Sequence, residues 1–192
     1  SDLIVGREAP ASDGMSPRRL VGSTVGDELK IAGYKSKVVS VALKDRSSIM
    51  MGGHLGDLSI WIEEGRWVTS QYYVKDGKLP GWVQELNKGL SEEEGKTFRV
   101  EIPGKATGLT AATSDKRAVE VLVDKKKAFA TEYGVKVTTE AAIKALDSMK
   151  LGQGEHPDIL AVSYSSHDMM GHAKGLQSAE MEHLTVYEDS SI

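Results

Sequence analysis

The sequence predicts an α/β domain on a mainly parallel sheet, and three observations point to it. Two apolar, β-branched runs, residues 37–43 (KVVSVAL) and 158–163 (DILAVS), read as buried strands, the pattern of a parallel sheet covered by helices on both faces. Each run ends in a polar or charged segment, the side of an open α/β sheet where ligands gather. Stretches with apolar residues at helical spacing separate the two runs, as α/β alternation requires.

In chain order, residues 1–16 form an irregular lead-in containing Pro10, Asp13 and Gly14. Ser16 and Pro17 then supply an N-cap and a first helical residue, and Leu20, Val21, Val25, Leu29 and Ile31 carry an apolar stripe to a stop at Gly33. After the 37–43 strand, Lys44-Asp45-Arg46 leads through small residues to the Gly52-Gly53 pair. Residues 57–74 are aromatic and β-branched around Glu63-Glu64-Gly65, a hairpin whose Trp61, Trp67, Tyr72 and Tyr73 serve packing better than a sugar or base platform.

Beyond the break at Leu79-Pro80-Gly81, residues 82–90 read as a short helix, and residues 97–114 as a loop with scattered Gly and Pro103. The spacing predicts a helix over 115–133 ended by Gly134, with Lys125, Lys126 and Lys127 on its solvated face. A further helix over 140–151 is capped by Thr138 or Thr139. Gly152 to Pro157 turn the chain into the second strand, and a last helix starts at Ser178 with Glu180 and Glu182 in its first turn.

The 192 residues suit one domain with a real core, and 40% hydrophobic with 27% charged residues is the usual soluble globular balance. A net charge of -4 argues against a nucleic-acid partner. No apolar run approaches the ~20 residues that span a membrane, and residues 1–10 lack the charged head and apolar block of a signal peptide. Without cysteine there are no disulfides and no thiolate metal sites.

Residues 158–172 (DILAVSYSSHDMMGH) concentrate the chemistry. Asp168 and His172 lie just past the strand, where a carboxylate and an imidazole can close on one cation at about 2.0–2.2 Å. Gly171 lets the backbone between them turn sharply. A catalytic zinc takes three protein ligands, so another must come from elsewhere. On spacing alone, the pair reads first as a polar loop whose His is hydrogen-bonded.

Lys44 and Arg46 occupy the corresponding exit of the first strand, and if the strands are parallel neighbours both reach the same crevice. Arg offers a planar fork for phosphate oxygens and Lys a mobile point charge. In isolation, the triplet also fits a solvated turn.

Two stretches carry a family pattern. Residues 15–87, with SPRRLVGSTVGDELK, SKVVSVALKDRSSIMMGGHLGD, WVTSQYYV and LPGWVQELN, resemble the PafA-like bacterial alkaline phosphatases, as do residues 151–182, with LGQG and PDILAVSYSSHDMMGHAKGLQSAEME. These are calcium- or zinc-associated enzymes of the alkaline phosphatase and nucleotide pyrophosphatase/phosphodiesterase superfamily. The resemblance implies an α/β/α fold, two zinc ions, and a hydroxyl nucleophile, usually Thr, that is transiently phosphorylated.

Position by position, Asp168 and His172 match the family's D-x-x-x-H ligands to one zinc, and Lys44 and Arg46 match the K-x-R pair on the non-bridging phosphate oxygens. His54, in the GGH motif, is expected to be structural, and His167 stands where a small polar residue is usual. No residue here falls in the nucleophile motif. Residues 1–192 are therefore expected to be a single partial alkaline-phosphatase-like domain, the interior of such an enzyme and inactive alone. The resemblance implies a small phosphate monoester as substrate and a periplasmic or secreted location. The alternatives are a phosphodiesterase or nucleotide pyrophosphatase of the same superfamily, and a non-catalytic module that kept the fold.

Overall fold

The computed structural model describes residues 2–7, 14–102 and 117–192. Seven strands are present among them: β1 (Ile4–Val5), β2 (Val38–Ala42), β3 (Leu58–Glu63), β4 (Arg66–Ser70), β5 (Thr97–Ile102), β6 (Arg117–Leu122) and β7 (Ile159–Ser163). The helices are α1 (Val25–Ile31), α2 (Asp45–Gly52), α3 (Gly81–Glu93), α4 (Glu132–Ser148), α5 (Ser166–Lys174) and α6 (Ala179–Asp189). Five strands form one sheet in the order β1-β4-β3-β2-β7, and β5 pairs with β6 separately.

The layering follows from the side-chain alternation of the strands. On one face, Val39, Val41, Leu58, Ile60 and Trp67 pack with Val83 and Leu90 of α3 and with Tyr133, Val137, Ala141 and Ala145 of α4. The opposite face is partly small and polar. Ser40 Oγ donates to Ser48 O at 2.7 Å and pairs with Ser59 Oγ at 2.7 Å, seating α2 against β2 and β3. A Cβ on Gly52 would sit 2.0 Å from Ser59 Oγ, so α2 lies as close to the sheet as a glycine permits. Helices on both faces give the expected three layers.

The β2–β3 and β2–β7 pairs are parallel, whereas β3–β4 and β1–β4 are antiparallel. The sheet is therefore mixed, because the predicted hairpin joins it as β3 and β4. The expected burial of the second strand is also only partial: among the described residues β7 pairs with β2 alone, and all five of its residues are half-buried. Two carboxylates set where β2 begins. Asp158 Oδ1 accepts from Lys37 N at 2.6 Å, and Asp57 Oδ2 accepts from Val38 N at 2.7 Å.

Several local expectations are corrected. The helix predicted from Pro17 to Gly33 divides into a 3-10 turn, Pro17–Arg19, and α1, because Thr24 and Asp27 close a capping box between them. Two residues of the irregular lead-in form β1, while residues 8–13 lie outside those described. Residues 97–102 of the predicted loop are β5, and 103–114 lie outside the described residues. The helix predicted over 115–133 is replaced at 117–122 by β6, where alternating residues place Phe98 opposite Val121 and Arg99 opposite Glu120. Gly134 does not stop a helix: it lies in the first turn of α4, capped by Thr131 rather than Thr138 or Thr139.

Candidate functional site

The parallel register sets Ala42 opposite Ser163, so β2 and β7 end level with each other. Each strand turns directly into a helix, α2 after Lys44 and α5 after Ser165. The segment carrying Asp168 and His172 is thus helical rather than a loop, and Gly171 lies within the helix instead of making a sharp turn. Residues four apart in a helix share one face. Asp168 Oδ1 lies 3.4 Å from His172 Nε2.

Packing determines which face of α5 looks outward. Ser166 is buried and its Oγ donates to Phe129 O at 2.8 Å. Met170 is buried with Val135, Met181 and Leu184, and Met169 packs on the main core. The N-termini of α4 and α5 meet closely, since a Cβ on Gly134 would lie 2.0 Å from Phe129 O and 2.4 Å from Ser166 Oγ. With those residues turned inward, Asp168 and His172 are left exposed, their side chains 57% and 83% accessible.

The expected convergence of the two strand ends is present in one contact. Lys44 Nζ donates to Asp168 Oδ2, joining residues 124 positions apart. The hydrogen bond and charge of Lys44, followed by the charge of His172, hold the Asp168 carboxyl below its ordinary pKa. Arg46 lies in the first turn of α2, with its side chain exposed and without an ion-pair partner among the described residues.

The donor set fits half of a zinc shell. Two donors at about 2.1 Å from a tetrahedral ion stand about 3.4 Å apart, the separation of Asp168 Oδ1 and His172 Nε2. Among the described residues, no group of three or more His, Asp and Glu gathers to complete such a shell.

The other histidines of the motifs stand apart. His54 lies at the far end of α2, where its N–H donates to Asp27 Oδ2 at 3.2 Å and its Nε2 pairs with Leu20 O at 3.0 Å. His167 points toward α6, with Nε2 2.8 Å from Thr185 Oγ1 and Nδ1 3.7 Å from Glu188 Oε2. It ties α5 to α6 and takes no part in the Lys44–Asp168 contact. The supports that sequence reading missed are Ser166, Gly134 and the small residues under α2. A glycine one turn into a capped helix was the available signal for Gly134.

An α/β/α fold with opposite charges meeting at the C-terminal ends of adjacent parallel strands defines a class of ligand-binding and catalytic domains. Within that class, the comparisons are specific. No family model matches the chain. It is 32% identical, over 87% of its length and 34% of the relative's, to a protein named calcium-transporting ATPase from Myroides odoratus. It is 31% identical to alkaline phosphatase PhoV of Synechococcus elongatus, over 88% of the chain and 34% of that protein. A crystal structure of wild-type alkaline phosphatase PafA superposes with a TM-score of 0.75 at 29% identity, covering 98% of this chain and 40% of that one. The chain is therefore PafA-like in both sequence and fold, and it spans about a third of the length of the curated relatives it matches.

Proposed function

We propose that this chain forms one wall of the active site of a zinc-dependent phosphatase acting on small phosphate monoesters. The observation that carries the reading is the meeting of Lys44 and Asp168 at the level ends of β2 and β7, in a chain similar to alkaline phosphatases. Lys44 and Arg46 are the clamp for non-bridging phosphate oxygens, where charge must be matched as phosphoryl transfer proceeds. Asp168 and His172 hold one zinc, with at least one more ligand from residues beyond this pair. Zinc in such a site supplies Lewis acidity and activates the nucleophile.

The family's phosphorylated Thr or Ser corresponds to no residue of this chain, so the chain alone is proposed to be inactive. A periplasmic or secreted location belongs to the same reading. Among the described residues no helix is long and apolar enough to cross a membrane.

The clamp distinguishes monoesters from diesters, because a diester presents one charged oxygen fewer. In the intact enzyme, the double variant K44A/R46A should lose monoester kcat/KM by about 100-fold or more while diester turnover falls less. Equal losses on the two substrates would overturn the monoester assignment and favour the phosphodiesterase reading.

A further inference from the structure

The contact between Lys44 and Asp168 engages the same carboxylate that the proposed function assigns to a cation. Resting on that reading, we infer that Lys44 and a divalent cation compete for Asp168, and that cation binding releases the Lys44 ammonium to take a tetrahedral anion in the crevice. Lys44 holds Oδ2, while Oδ1 lies 3.4 Å from His172 Nε2, so a cation taken by that pair would sit on the ammonium's own partner. An ammonium has three donors and no acceptor, so it cannot ligate a cation and is repelled by one placed on its own partner.

The geometry lets Lys44 leave without disturbing the fold. Its carbonyl accepts from Ser48 N at 3.1 Å, which fixes the backbone at the start of α2, while the side chain is one-third exposed on a flexible four-carbon stem. Arg46, two residues on, is exposed and supplies a second cation for the same anion. The α2 N-terminus adds a partial positive charge there. Cation and anion are thereby coupled through one side chain: a cation held by Oδ1 and His172 repels the ammonium on Oδ2, and the anion site is not complete until Lys44 has moved.

Heteronuclear NMR at low ionic strength tests this on the chain itself, with zinc chloride as the cation and sodium sulfate as the anion probe. In wild type, the His172 ring and Lys44 Cε resonances should shift on a single zinc isotherm, and sulfate should shift Lys44 Cε substantially only at saturating zinc. In K44M, and in K44Q as a second variant, zinc affinity read at His172 should tighten by roughly 2- to 5-fold, the range of an exposed ion pair. If zinc binding is lost in D168N but K44M and wild type bind it equally, the competition is wrong and the metal reading stands. If zinc leaves His172 unshifted, or shifts it equally in D168N, both are wrong.

Discussion

At the scale of single residues, buried or paired carboxylates organise the chain ends of the elements. Asp27 is the clearest case, accepting from Thr24 N at 2.9 Å, Leu55 N at 2.6 Å and His54 N at 3.2 Å. Burial alone would raise its pKa, but the N–H donors of Thr24, Leu55 and His54 outweigh it and hold the carboxyl below the ordinary value. Because the folded-state pKa is depressed, the stabilisation is complete above the unfolded-state pKa and is lost as pH falls through the folded-state one. D27N should therefore destabilise the protein by about 2–3 kcal/mol at pH 7. The gap to wild type should narrow below the usual carboxylate range, as measured by urea unfolding at pH 7 and pH 3; a constant gap would assign the effect to shape rather than charge. The GGH motif acquires its meaning from this carboxylate. A Cβ on Gly53 would lie 2.5 Å from Asp27 Oδ2, and Gly53 itself adopts φ 70°, so the glycine admits the acid that anchors His54 and Leu55.

At the scale of elements, the position of α2 determines where Lys44 and Arg46 stand. The Ser40, Ser48 and Ser59 contacts bring the helix onto the sheet, and Gly52 sets how near its C-terminal turn can come. Gly52→Ala should destabilise the fold by about 1–3 kcal/mol through overpacking and displace α2, which chemical-shift changes at Lys44 and Arg46 would register. An unchanged thermal midpoint would show that Ser59 can rotate away to make room. On the neighbouring strand, Asn87 of α3 satisfies an edge that the short β1 leaves open. Trp67 N donates to Asn87 Oδ1 at 2.7 Å, and Asn87 Nδ2 donates to Trp67 O at 2.8 Å. A side-chain amide thus supplies the pair of bonds that a longer β1 would otherwise have made.

At the scale of the whole molecule, the two strands that build the crevice were legible because their apolar runs differ sharply from the segments flanking them. Their parallel pairing followed from that pattern, and Lys44 and Asp168 meet where the strands end. The polar segment after β7 was misread as a loop because SSHDMMGH combines small, polar and glycine residues whose local preferences oppose a helix; burial of Ser166 and Met170 overrides them. The β5–β6 pair was missed for the converse reason. RAVEVL carries residues that suit a helix, and its strand becomes evident only against TFRVEI on the partner. The glycine of Gly134 hinted at a close approach, but its contact with Ser166 joins residues distant along the chain, so the partner had no local sequence signal. The sequence separation across the crevice has a kinetic consequence. Lys37 and Asp158, which set the start of the β2–β7 ladder, are 121 residues apart, so closing it requires a large loop entropy before any contact is gained. Late assembly of the crevice is the expected consequence, and a cation or anion captured there would favour chains that have completed that closure.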